Sequence, residues 1–272
     1  MRRPDAPLLL IVAACLVVAG CSRLSFVKPK LERGDYTRIA PEYTVRDDPE
    51  ARQRLAAMDR VALAEDRLRT GDLAAAEAQA RAAIKADASV AGAHTVLALV
   101  AERRGDVAGA GREFARAAEL APRRGSALNN YAAWMCRTGR QVESLALFNQ
   151  ALRDPGYDTP AVALANAGAC AMEAGRPAEA ERDLRKALEL QPGNPTALAA
   201  MASLSFQGGD YLQARAFSQR RLAAAPATAQ VLLLASQIEQ KLGDSAAMAR
   251  YVQRLRAEFP ETQTPRGDVS QQ

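Results

Sequence analysis

Histidine is almost missing from this 272-residue chain, which carries one, His94, beside a single tryptophan and four cysteines. One imidazole rules out a His-Glu-x-x-His metal site and any zinc cluster that needs Cys and His at short spacing. No phosphate-cradling P-loop occurs. Gly109-Ala110-Gly111 lacks the third glycine of a dinucleotide loop and lies inside a helical pattern rather than after a strand. The neighbouring acids Asp47 and Asp48 stand at a helix start, where the helix dipole accounts for them. Aromatic residues make up 5% of the chain, too few for a bulky globular core. The net charge of +5 is modest and spread along the helical segments. No aromatic-plus-basic surface accompanies it, so nucleic acid is not an expected partner. No catalytic residue, metal site, cofactor or small-molecule substrate is implied. The expectation is a binding protein, not an enzyme.

What the chain has in abundance is alanine, leucine and one regular interval. A helix-breaking glycine recurs at Gly71, Gly105, Gly139, Gly175, Gly209 and Gly243, at spacings of 34, 34, 36, 34 and 34 residues. Each ends one amphipathic run just before a second. Residues 91–124 show the unit best: Leu97-Ala98 in the first helix, Gly105-Asp106 at the turn, Ala110, Phe114 and Ala117 in the second, and Pro122 at the close. The same register reads Leu63-Ala64, Ala76, Ala80, Ala83 in the first unit, and Gly168, Ala180, Leu184, Ala187, Pro192 in the fourth. Such a period marks tetratricopeptide (TPR) repeats, helical hairpins that cannot bury their apolar faces alone and must stack. The expected fold is all-α, a right-handed solenoid of about six repeats at 57–90, 91–124, 125–160, 161–194, 195–228 and 229–260. Asp48-Pro49-Glu50 should start a first helix longer than the others. Asp154 to Asp158 holds the two-residue insertion and should be a longer loop. His94 takes the fourth place of its helix, a packing position. The tail from 261 to 272 is polar and expected to be flexible.

The N-terminus carries an address. Arg2 and Arg3 precede a thirteen-residue apolar run, Leu8–Gly20. A mature bilayer span needs about 20 residues, so residues 1–20 read as a secretory signal peptide. It ends in Val18-Ala19-Gly20-Cys21, which resembles a bacterial lipobox. Cleavage before Cys21 and acylation of that residue would anchor the protein by several acyl chains, each buried CH₂ contributing about 0.8 kcal/mol. Ser22 follows; in lipoproteins of this type Asp at that place typically retains the protein in the inner membrane. Ser therefore implies the periplasmic face of the outer membrane. Residues 21–48, with Pro29 and Pro41, read as a tether.

A partner would meet the concave side of the array, faced by positions two, five, nine and twelve of each first helix. In repeat one these are Met58, Val61, Glu65 and Leu68. Three apolar residues there suggest either a protein contact or a cover supplied by the chain's own N-terminal part. Asn129, Asn130 and Asn166 could hold an extended peptide backbone or satisfy a loop carbonyl. Cys136 is residue twelve of its helix and Cys170 residue ten of the next. These positions lie on opposite helix sides, which face each other in a stack, so the thiols either bond in an oxidising compartment or remain two small buried side chains.

Asn129-Asn130-Tyr131-Ala132-Ala133-Trp134-Met135-Cys136, followed by Gly139-Arg140, resembles the Asn-Asn-Tyr-Gly-x-x-x-Cys segment of the PilF/PilW family, TPR lipoproteins of type IV pilus biogenesis. Asn166-Ala167-Gly168-Ala169-Cys170 is similar to that family's next-repeat segment. Ala132 stands where the family often has Gly. The resemblance spans essentially the whole chain after Gly20. It implies a pilotin, an outer-membrane lipoprotein that helps the pilus secretin reach, insert or oligomerise in that membrane. A scaffold for outer-membrane protein assembly or peptidoglycan-enzyme regulation would share anchor and fold but lack the Asn-Asn-Tyr…Cys and Asn-x-Gly-x-Cys pair. Cys21→Ser should leave an unprocessed precursor without fatty acid. Metabolic labelling reads this directly, and label persisting in the variant would remove Cys21 as the acylated residue.

Overall fold

The computed structural model describes residues 48–260, and no strand occurs among them. Helices α1 (Pro49–Thr70) and α2 (Leu73–Ala86) form the first hairpin, α3 (Ala91–Arg103) and α4 (Val107–Leu120) the second. The third is α5 (Gly125–Arg137) with α6 (Gln141–Ala151), the fourth α7 (Pro160–Glu173) with α8 (Pro177–Leu190). The array closes with α9 (Pro195–Gln207) and α10 (Tyr211–Ala224), then α11 (Ala229–Leu242) and α12 (Ser245–Glu258). The six hairpins are the six TPR units, and the twelve helices stack as a solenoid.

Each hairpin turns where the period places it. The six glycines have φ between 71° at Gly175 and 90° at Gly139, and no other described residue has positive φ. That backbone costs residues with a Cβ but not glycine. At the first turn Gly71 N–H donates to Leu68 O and Asp72 N–H to Arg67 O, closing α1 with a left-handed cap. The next residue then opens the second helix. Asp72, Asp106, Asp210 and Asp244 each accept a backbone N–H from three residues ahead, the arrangement of a good N-cap. Repeats three and four have Arg140 and Arg176 instead, with no side-chain cap.

The hairpins close on small residues. Ala76, Ala80 and Ala83 in α2, Ala110 and Ala117 in α4, and Ala180 and Ala187 in α8 are fully buried. Gly168 of α7 meets Leu184 of α8 so closely that an added Cβ would sit 2.6 Å from Leu184 Cγ. Gly111 likewise leaves bare backbone under the Trp134 indole, where a Cβ would come within 2.2 Å. Larger side chains, Phe114, Phe148, Leu184 and Met201, fill what remains.

Two local expectations concern the ends and the insertion. Asp48 caps α1 by accepting Glu50 N–H at 3.0 Å, and α1 runs 22 residues against 11 to 14 for the other helices. Leu63 of α1 stays 40% exposed, because among the described residues no earlier hairpin stacks on it. The longer loop after α6 has a structural task. Asp154 Oδ2 accepts Gly125 N–H at 2.7 Å and Oδ1 accepts Gly156 N–H at 2.9 Å, so the loop caps α5, whose own N-cap, Arg124, supplies no side-chain bond. The Gly125 and Gly156 amides hold the Asp154 carboxyl below its ordinary value.

Bulk at a fully buried alanine should be costly. Ala110→Leu and Ala180→Leu should each lose about 1–3 kcal/mol through overpacking, read as a lower denaturation midpoint in urea. An unchanged midpoint in both would mean that these alanines do not sit where the hairpins touch.

Candidate protein-binding groove

The linkers between repeats decide where the array opens. After α2, α4 and α8 the chain makes a tight turn: Val90 N–H donates to Asp87 O, Arg124 N–H to Ala121 O, and Asn194 N–H to Gln191 O. After α10 it runs extended instead, with φ −157° and ψ 161° at Ala225 and φ −119° and ψ 161° at Thr228. Arg221 reaches into this linker and its Nη1 donates to Ala225 O at 3.0 Å and Pro226 O at 3.2 Å. A cleft of about 680 Å³ lies here, within the size range of ligand pockets. Its walls include Met172 of α7, Ala199 and Ser203 of α9, Gln230 and Leu234 of α11, and Arg221 of α10 at its side. Ala199, Ser203 and Gln230 occupy concave-facing positions of the repeat, and Met172, half-buried, holds position twelve of its helix.

The repeat register explains why Arg221 is unusual. Its place in the second helix is filled by Ala83, Ala117, Ala151 and Ala187 in the first four repeats, each fully buried. A guanidinium in that place is 8% exposed. The sequence reading did not single it out, although aligning the six units on their glycines exposes it.

The residues expected to bind a partner divide. Met58 is 62% exposed and Glu65 is exposed, while Val61 is half-buried against the core of the first two hairpins. Leu68 is a correction: it is buried, in one cluster with Ala64, Ala76 and Ala80, and Arg103 Nη1 bonds its carbonyl at 2.6 Å. Position twelve lies one turn before Gly71, where the returning α2 covers it. The exposed apolar patch of α1 is therefore Met58 with Leu55, one turn earlier and also 62% exposed.

The asparagines are corrected in a similar way. Asn129 is 5% exposed rather than open to the groove. Asn166 Nδ2 donates to Asn129 Oδ1 at 3.1 Å, and Asn129 Nδ2 to Asn130 Oδ1 at 3.4 Å. The three carboxamides form a chain across α5 and α7, satisfying one another, with Asn130 and Asn166 half-buried. Neither a loop carbonyl nor a bare groove position describes them.

Cys136 and Cys170 are joined by a disulfide with Cα atoms 5.9 Å apart, tying α5 to α7. Tyr131 and Trp134 of the same segment stack with centroids 6.0 Å apart, and Trp134 Nε1 donates to Val107 O. His94 packs half-buried with Nδ1 2.7 Å from Glu113 Oε2, and Gly109-Ala110-Gly111 lies within α4. No group of three or more His, Cys, Asp or Glu able to hold a metal occurs among the described residues. Cys21, the signal segment, the tether and the tail lie outside them.

A stacked array of helical hairpins with a concave cleft defines a TPR protein, a fold of the protein-binding class. Two tetratricopeptide repeat family models match the chain, at residues 61–127 and 171–238. The type IV pilus assembly protein PilF of Pseudomonas aeruginosa is 26% identical over 193 residues, 71% of this chain and 77% of PilF. The crystal structure of PilW, a widely conserved type IV pilus biogenesis factor, superposes with a TM-score of 0.68 at 30% identity. The match covers 76% of this chain and 95% of that one. The structure of Pseudomonas aeruginosa PilF gives 0.67 at 25% identity over 79% and 95%. The chain belongs to the PilF/PilW family of type IV pilus biogenesis TPR proteins.

The disulfide closes a separation of 34 residues, a loop length for which the chain-entropy model gives about 3–4 kcal/mol. Replacing Cys136 and Cys170 together by Ala should shift the unfolding transition to lower denaturant by about that amount. A double variant as stable as the parent would remove the bridge from the forces holding repeats three and four.

Proposed function

We propose that this protein is a pilotin. Acylated at Cys21, it rides to the periplasmic face of the outer membrane, and its TPR array carries the type IV pilus secretin there or promotes its oligomerisation. The observation that carries this reading is family membership. The array matches PilW over 95% of that structure, and PilW and PilF are proteins of pilus biogenesis and assembly. The lipobox supports the anchor, and Ser22 supports sorting away from the inner membrane.

The chemistry asked of the chain is adhesion, not bond making. A stack of rigid hairpins presents a preformed surface, so a partner segment is the component that orders on binding. With the lipid site at Cys21 and the binding surface in the repeats, anchoring and binding would be separable functions. The partner surface includes the apolar patch of α1 around Met58 and Leu55, both 62% exposed on the helix that opens the described array.

A deletion strain decides between this and a general assembly scaffold. Secretin multimers, surface pili and twitching should be lost while bulk porins stay at parental levels. Met58→Asp should weaken secretin co-purification without changing the melting temperature. Normal secretin multimers and normal pili in the deletion strain would defeat the pilotin reading, and a broad loss of β-barrel proteins would favour the scaffold.

A further inference from the structure

We propose that the cleft between α9 and α11 receives an acidic side chain, Asp or Glu, carried on an extended segment of a protein partner. The starting observation is Arg221. A buried arginine is ordinarily paired with a carboxylate, because a charge taken out of water without a counter-charge is costly. Arg221 is 8% exposed, and its bonds to the linker carbonyls come from Nη1 alone. Among the described residues its Nε and Nη2 meet no protein acceptor and the guanidinium makes no ion pair. Since no fully buried nitrogen among them is left without a partner, this edge is the part of Arg221 that still reaches solvent.

The open edge has a known use within this same molecule. Arg81 holds Glu77, Arg185 holds Glu181 and Arg215 holds the buried Glu239, each through Nε and Nη2. In the first two pairs both N–H groups converge on one carboxylate oxygen, and in Arg215–Glu239 they take one oxygen each, the fork that matches a carboxylate. In Arg221 it is left unoccupied beside a cleft. Among the described residues the one carboxylate lining the cleft, Glu173 on α7, is exposed and forms no ion pair with Arg221.

The surroundings fit a side chain rather than a chain end. A terminal carboxylate is captured where several backbone donors converge. The backbone groups nearest Arg221 are the carbonyls of Ala225 and Pro226, which are acceptors and already bonded. At the first turn of α11 the Val231 N–H is taken up by Thr228 Oγ1 at 3.4 Å, so a chain end would have fewer backbone donors here than a full nest supplies. One fork therefore serves one carboxylate. Met172, Ala199 and Leu234 supply apolar wall, Gln207 and Gln230 can exchange hydrogen bonds with an extended main chain, and Ser203, whose hydroxyl donates to Ala199 O, can accept one. Register adds an independent argument: four repeats keep alanine where the fifth buries a charge.

This inference does not rest on the pilotin reading, since the chemistry is the same whichever protein carries the acidic segment. The test pans the purified full chain against synthetic peptides blocked at both ends and randomised around a central Glu, Asp or Gln. The Glu or Asp library should be retained. Changing the acid to Gln in a selected peptide should weaken binding roughly tenfold or more, about the loss of one charge-assisted hydrogen bond. Arg221→Gln should abolish retention. Because Arg221 also steadies the linker, Ala199→Glu is the second variant: it leaves Arg221 in place and sets a competing carboxylate in the cleft. It should abolish retention with helical content and melting temperature unchanged. The proposal is overturned if no library is retained, if Gln peptides bind as well as Glu peptides, or if both variants still hold the Glu peptides. A requirement for a free C-terminus would overturn it too, assigning the fork to a chain end. Peptide binding that persists alongside normal pili in the deletion strain would remove the pilotin reading and leave this one standing.

Discussion

Close approach of helices at residues with almost no side chain is the constraint on which this array depends. A TPR hairpin has little apolar area to bury, so its helices must come near enough for backbone to meet side chain directly. Gly168 beneath Leu184 and Gly111 beneath Trp134 show how near: a single added carbon at either would overlap its neighbour. The left-handed glycine turns follow from the same requirement, because a helix pair this close needs a short reversal that opens the second helix at once. Aspartate beside the glycine in four of the six turns supplies that opening.

Regular stacking sets a background against which departures acquire meaning. The two extra residues between repeats three and four bring Asp154 to the start of α5, and the neighbouring helices α5 and α7 are also the pair joined by the disulfide and by the asparagine chain. The middle of the array is thus held covalently, by hydrogen bonds and by a cap. The linker between repeats five and six departs in the other direction. It runs extended, is steadied by Arg221, and has a cleft beside it. A solenoid stabilised by nearest-neighbour contacts can stiffen one junction and loosen another without global cost.

Much of the fold was legible in the sequence because it is written in intervals. Gly71 to Gly243 mark the six turns, Asp48-Pro49-Glu50 marks the start of α1, and the positions of Cys136 and Cys170 place them on facing sides of successive helices. Groove residues were less legible. Leu68 and Asn129 sit at nominally concave positions, yet one is covered by the returning helix and the other by its asparagine neighbours. A helical position fixes an angle around one axis; it does not say what the adjacent helix brings to that angle.

By itself the sequence determined the class: a period of about 34 residues with small residues at fixed offsets marks helical hairpins that must stack, since no unit can bury its face alone. It determined the turns as well, because their positive φ is a property of single residues. Tertiary structure decided which polar groups find one another and where the stack opens. Arg221 reads in sequence as one more charge on an amphipathic helix. Its burial follows from the packing of α10 against its neighbours, and its half-filled bonding from a linker whose extended path is set by the helices at both ends. Those are relations between elements distant along the chain, and no local pattern of residues encodes them.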